Sequence, residues 1–253
     1  MSSALTTFVF VPGAFCPGSY YHKVIAKLEA LGYEAVALDL PSVGPKPESK
    51  PATGYEDASY VNSKVTELLN QGKNVVLGAN SYGGFVVTEA SKGLSKAERE
   101  AAGKPGALIH LVLMGSFLTP VGKTVKDMLT GHIPLDFESE VEYIDSGPAE
   151  IAGYAFFGSL PQEDQMIYGG QTKPHSAASF RDPLTHAGYE HIPTTVVIGE
   201  LDRAYSPKVQ HENVDAVIAK GVGQVKKVVL PVDHIPMLAH PDEIVSVLLG
   251  AAT

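Results

Sequence analysis

The stretch NVVLGANSYGGFVVTEASKGL, beginning at Asn74, constrains the fold more than any other part of the chain. An apolar run of strand character (Asn74–Gly78) meets a helix-like run, FVVTEASKGL, with only Ala79-Asn80-Ser81-Tyr82-Gly83-Gly84 between them. That is a sharp strand-to-helix turn with a serine at its apex, the pattern G-x-S-x-G with Ala79 in place of the first glycine. A serine held there takes a strained backbone conformation, so the residues two before and two after it must be small. Ala79 meets that need on one side and Gly83 and Gly84 on the other. The helix after the turn would aim its first N–H groups at any negative charge developing near Ser81. A five-residue pattern also fits a purely structural serine, so its weight comes from the strand–turn–helix context and from partners elsewhere in the chain.

The rest of the chain alternates in the way this turn demands. Short β-branched runs at Thr7–Val11, Glu34–Leu40, Asn74–Gly78, Leu108–Met114, Thr194–Gly199 and Val225–Leu230 read as strands. Most are nearly continuous apolar runs, as expected of a mostly parallel sheet covered by helices on both faces. Between them Tyr21, Val24, Ile25, Leu28 and Leu31 recur at helical spacing before Gly32, and Val61, Val65, Leu68 and Leu69 do so before Gly72. A last helix is expected around Pro241–Leu249, with proline in its first turn and Asp242 and Glu243 beside it.

Two stretches interrupt the alternation. Pro41–Pro51 is a loop with four prolines. Residues 118–185 show no convincing buried strand, yet carry Phe137, Tyr143, Tyr154, Phe156, Phe157, Tyr168 and Phe180. An insertion of that kind reads as a cap over a ligand site, since a disordered linker would be poor in aromatics. The expected organisation is one domain, 1–253, with a core of 1–117 and 186–253 and a cap at 118–185.

Composition narrows the partners. A formal charge of −9 without a basic stripe repels phosphate backbones, which argues against nucleic acid. The single cysteine, Cys16, rules out an internal disulfide framework and reads as a small buried hydrophobe sooner than as a reactive thiol. MSSALTTFVFVPG lacks the charged start and long apolar run of a signal peptide or membrane span, so a cytoplasmic protein is expected. Gly122-Lys123-Thr124 echoes a phosphate loop without its upstream glycine; no HExxH occurs, and His186 and His191 lack the spacing of a helical pair, so a metal site is not expected. The remaining partner is a small-molecule substrate, with the chain a monomer or homodimer.

An activated serine needs a general base and a group that orients it. On an elbow of this type, acid and base come in the order Ser, acid, His, on loops after later strands. Thr194–Gly199 leads into Glu200-Leu201-Asp202-Arg203, which makes Asp202 the acid, with Glu200 its competitor. Val225–Leu230 leads into Pro231-Val232-Asp233-His234, which makes His234 the base. His240, directly before Pro241, suits a helix cap better, and Asp233 is too close along the chain to orient its neighbour.

VPGAF at 11–15, DLPSVG at 39–44, NSYGG around Ser81, ELDRA at 200–204 and DHIPML at 233–238 resemble the esterase and lyase branch of the α/β-hydrolases. Plant methyl esterases and hydroxynitrile lyases belong to that branch. The resemblance spans nearly the whole chain and is weakest in 118–185. It implies an α/β-hydrolase fold with an eight-stranded sheet and an inserted cap, and no metal or organic cofactor. Pro12-Gly13-Ala14 stands where many relatives carry His-Gly-x, the loop giving one oxyanion donor. The oxyanion hole is then Ala14 with Tyr82, Phe15 being the alternative to Ala14 because the loop's register is open. Hydroxynitrile lyases of this branch carry a lysine just after the catalytic histidine, whereas Ile235 stands there, which argues against cyanohydrin cleavage. The expected activity is hydrolysis of an ester or lactone of a small to medium apolar substrate through an acyl-Ser81 intermediate. The same triad can serve a lyase, cyclase or acyl transferase, or persist in a receptor-like binding protein.

Overall fold

The computed structural model describes residues 6–45, 50–133 and 141–252. Phe137 and part of the proline-rich loop lie outside them. All six expected strands are present. In chain order the first half runs β1 (Thr6–Val11), α1 (His22–Ala30), β2 (Glu34–Ala37), α2 (Gly54–Asn70), β3 (Asn74–Asn80), α3 (Gly83–Ala90), α4 (Lys96–Ala101) and β4 (Leu108–Met114). The next stretch contributes α5 (Val125–Leu129), β5 (Tyr143–Ile144), α6 (Ala149–Phe156), α7 (Gln162–Gly169) and β6 (His175–Ser176). The chain closes with β7 (Thr194–Gly199), α8 (Pro207–Ala219), β8 (Val225–Leu230), the single turn α9 (Pro236–Ala239) and α10 (Pro241–Ala251).

The main sheet is six-stranded and parallel throughout, in the order β2-β1-β3-β4-β7-β8. This corrects the eight strands that the family resemblance implied. The four inner strands are largely buried apolar runs, and the sheet ends on either side in the half-exposed edge strands β2 and β8. A second correction concerns residues 118–185, where β5 and β6 pair antiparallel and β6 is fully buried. A ladder of two residues per strand is too short to leave any alternation in the sequence.

The strand periodicity accounts for the two-sided core. Successive residues point to opposite faces, so Phe8 and Phe10 enter one cluster with Val24 and Leu28 of α1 and Leu248 of α10. Val9 and Val11 enter the other, with Val61 and Val65 of α2, Phe85 of α3 and Val214 of α8. Helix boundaries obey local chemistry. Thr53 and Glu56 form a capping box at the start of α2, and Gly72 takes φ +82 just past its end. Thr124, in the Gly122-Lys123-Thr124 run, caps α5 with Asp127 and so has a structural role there. Among the described residues no helix is long and apolar enough to cross a membrane.

The strand register places the loops that carry the chemistry. Val11 pairs with Ala79, Asn80 with Met114 and Gly199 with Leu230, so the carboxyl ends of β1, β3, β4, β7 and β8 reach a common edge. Loops leaving that edge are neighbours regardless of their separation in the chain, and open α/β sheets bind ligands there.

At the opposite end of the sheet, Arg99 is buried and held by neutral acceptors. Its guanidinium donates to the Asn70 side chain (2.9 Å) and to the carbonyls of Pro105 (2.5 Å) and Gly106 (3.2 Å). Arg99→Met would strand these acceptors and is expected to cost about 2–3 kcal/mol of stability in urea unfolding, given the desolvation of unpaired polar groups. Its kcat should match wild type. A stability within experimental error of wild type would contradict the assignment.

Candidate active site

Ser81 directly follows β3 and opens the turn into α3 with φ +49, one of only two non-glycine positive φ values among the described residues. Its N–H donates to the Met114 carbonyl (3.0 Å), and its own carbonyl accepts from Ser116 Oγ (2.7 Å). The small neighbours have steric reasons. A Cβ on Gly83 would lie 2.6 Å from the Pro12 carbonyl oxygen, and one on Gly84 would lie 2.0 Å from Ser116 Oγ. Ala79 is fully buried in β3 opposite Val11, with room for one methyl.

Asp202 and His234 come together as the sequence order required. Asp202 Oδ2 accepts from His234 Nδ1 at 2.8 Å, with both side chains nearly sealed from solvent. Three further donors hold the carboxylate: Gln210 Nε2 on Oδ2 (2.8 Å), and the N–H groups of Ala204 (2.9 Å) and Tyr205 (2.8 Å) on Oδ1. The competitor Glu200 faces outward to His211 (3.1 Å). Asp233 turns away from the imidazole and accepts from the Ser159 N–H (2.9 Å), and burial pushes its carboxyl above the usual range. His240 stands at the N-cap position of α10, with Nδ1 3.7 Å from Glu243.

Ser81 and His234 line one cavity of about 290 Å³ with Gly13, Ala14 and Tyr82. Its walls are apolar, from Leu129, Ile133, Ile151, Phe156, Phe180 and Tyr205. Among the described lining residues the one permanent charge is Arg203, whose guanidinium stacks 4.5 Å over the Tyr154 ring. Three of the aromatics singled out in 118–185, Tyr154, Phe156 and Phe180, reach this cavity. Phe157 and Tyr168 instead pack on Tyr20 with ring centroids 5.5 and 5.6 Å away. Cys16 also lines the cavity, but burial pushes its thiol far above the ordinary range, in keeping with a small hydrophobe.

The two oxyanion candidates differ in what they already bind. The Phe15 N–H donates to His175 Nδ1 at 3.0 Å. The N–H groups of Ala14 and Tyr82 make no hydrogen bond among the described residues. Two unspent backbone donors therefore flank Ser81.

Several groups that position this site gave no readable signal in the sequence. Asn80 Nδ2 donates to the carbonyls of Met114 (2.9 Å) and His234 (2.7 Å), joining nucleophile and histidine loops. Gly115, at φ +53, leaves the gap that the Asp202–His234 pair fills, since a Cβ there would lie 3.2 Å from both Asp202 Oδ2 and His234 Nδ1. Beneath the loop that follows β1, His175, Ser42, Asp57 and Tyr82 form a buried polar chain. Ser42 lies in the DLPSVG segment and Asp57 in a helix, but neither segment signals their pairing with His175, which only the fold discloses.

Comparison with known proteins agrees with this fold. Residues 8–247 match the model of the alpha/beta hydrolase family. The chain belongs to the α/β-hydrolases. It is 30% identical over 245 residues to "Probable hydrolase R7" of Phoma sp., covering 96% of this chain and 97% of that protein. It is 28% identical over 249 residues to alpha/beta hydrolase nvfD of Aspergillus novofumigatus, covering 96% and 95%. A methylesterase structure, MES16 from Arabidopsis, superposes with a TM-score of 0.73 at 19% identity, covering 98% of each chain, and so shares the fold. This α/β-hydrolase is thus an enzyme built on a six-stranded parallel sheet.

Burial holds His175 down from the ordinary 6.5 to about 3, so the folded ring stays neutral where the unfolded chain's ring takes a proton. Unfolding therefore absorbs a proton in that window, and stability falls as pH drops from about 6.5 toward 3. His175→Asn should flatten this part of the stability–pH curve measured by urea unfolding. An unchanged slope would contradict a buried neutral ring.

Proposed function

We propose that this α/β-hydrolase is a serine esterase acting on small to medium, largely apolar esters or lactones. One observation carries the reading: a strained Ser81 and an Asp202-anchored His234 open onto the same apolar cavity, between two unspent N–H donors. His234, with Nδ1–H committed to Asp202, has Nε2 available as the base that takes the Ser81 proton. The Ser81 oxygen attacks the carbonyl, and the N–H groups of Ala14 and Tyr82 stabilise the oxyanion. Collapse expels the alcohol, protonated by His234. His234 then takes a proton from water as the water oxygen adds to the acyl carbon, and returns it to the Ser81 oxygen as the ester bond to Ser81 breaks and the acid leaves.

Residues 118–185 act as the cap in this proposal, because they supply Tyr154, Phe156 and Phe180 to the cavity wall. A cavity of about 290 Å³ lies at the small end of ligand sites. The substrates favoured are thus short acyl or compact ring esters.

Hydrolysis of a p-nitrophenyl ester series tests the reading. Acyl chains of roughly two to six carbons should be preferred over chains of about twelve, from the size of the cavity. Ser81→Ala and His234→Ala should each lower kcat more than ~100-fold, and Asp202→Asn by a comparable factor, as loss of a triad member does elsewhere. Full activity in Ser81→Ala would sink the proposal.

A further inference from the structure

The buried chain under the oxyanion loop is not used by the triad. Its hydrogen bonds have only one consistent direction. The Phe15 N–H can only donate, so His175 Nδ1, 3.0 Å away, accepts and carries no proton. The ring proton therefore sits on Nε2, 2.9 Å from Ser42 Oγ, which accepts it. Ser42 Oγ–H passes on to Asp57 Oδ2 (2.5 Å), which also accepts from the Tyr82 hydroxyl (2.7 Å). The Ser42 N–H completes the set on Asp57 Oδ1 (2.9 Å). His175, Ser42, Asp57 and Tyr82 are all at most 1% exposed, and a buried network in which every member is satisfied fixes one geometry.

The arrangement is no second triad. The serine stands between histidine and aspartate, and none of His175, Ser42 and Asp57 lines the cavity. What the chain does reach is the pair of residues flanking the oxyanion site. One end grips Phe15, directly after Ala14, and the other grips the side chain of Tyr82. Phe15 is the second non-glycine residue at positive φ, +67, a conformation that persists only where its surroundings over-determine it. Both its backbone groups are tied to the same segment: its N–H to His175, and its carbonyl to the Lys173 N–H (2.8 Å).

We infer that His175 is a positioning residue for the oxyanion site: as a neutral acceptor it holds Phe15 in its left-handed turn and so presents the Ala14 N–H to the carbonyl attacked by Ser81. The inference rests on the esterase reading and deepens it. A small displacement of one oxyanion donor is enough to slow acyl transfer by one to two orders of magnitude. The loss falls on kcat, because the donor acts on charge present only in the transition state.

The test uses two substitutions of nearly equal shape. His175→Asn keeps an acceptor close to the position of Nδ1, and His175→Leu removes it while filling the same volume with apolar atoms. With a short p-nitrophenyl ester, the asparagine variant should keep kcat within about fivefold of wild type, and the leucine variant should lose about 30-fold. KM should stay within about threefold in both. The Ki of an aryl trifluoromethyl ketone, whose adduct with Ser81 carries the oxyanion, should rise with leucine in parallel with the fall in kcat. A packing role predicts the reverse order, since a buried leucine outranks a buried asparagine, so leucine equal to or better than asparagine overturns the proposal. If His175→Leu does not fold, His175→Ala serves instead. It removes the acceptor of the Phe15 N–H, so kcat should fall at least about tenfold with KM within about threefold, and an unchanged kcat overturns the proposal. A wild type inert on every ester overturns the esterase reading and this inference together, whereas an active wild type with leucine matching asparagine overturns the inference alone.

Discussion

Ser81 stands at φ +49, where the Cβ of an L-residue crowds its own backbone at a cost of about 1–3 kcal/mol. The strain is offset by the surroundings of the turn. Its N–H and carbonyl are both tied to the end of β4 and the residues just beyond, through Met114 and Ser116. Gly83 lets the start of α3 lie against the carbonyls of Val11 and Pro12, and Gly13 lets the β1 loop lie against Asn80 and Ser81. Each of these approaches requires parallel strands ending at one level, which the register of β1, β3 and β4 provides. The elbow is thus a property of the sheet and not of five residues.

The same edge couples the site to the insertion between β4 and β7. The histidine loop is tied to it at Asp233, which accepts from Ser159, and at Ile235, whose N–H donates to the Phe156 carbonyl. The loop after β1 is tied to it at Phe15, through Lys173 and His175. The insertion therefore shapes the cavity wall and also contacts the loops that bear His234 and Phe15. Such contacts give substitutions far from Ser81 a physical route to the reaction geometry.

The parts legible in the sequence are those governed by local rules. Six strands can be read as short β-branched runs, nearly continuous and apolar in the inner strands and half-exposed in the edge strands β2 and β8, and the ends of α1 and α2 because Gly32 and Gly72 release the chain at positive φ. Ser81, Asp202 and His234 can be named as candidates because each follows a strand. The structure brings Asp202 to His234 and opens His234 and Ser81 onto one cavity. The choice between Ala14 and Phe15 cannot be read, since it turns on a hydrogen bond spanning 160 residues. Nor can the β5–β6 ladder, Gln210 behind Asp202, or the Ser42–Asp57 pair, whose roles arise from contacts that leave no period or motif. Resemblance alone is the least reliable guide to detail, for it implies eight strands where the described sheet has six.

The central claim is that Ser81 becomes covalently acylated. Rapid acid quench of the enzyme with a p-nitrophenyl ester, then peptide mass spectrometry, measures this directly. The account predicts one acyl group on the peptide containing Ser81, absent from Ser81→Ala. An acyl group on another serine, or turnover with no acyl-enzyme at any quench time, would contradict it.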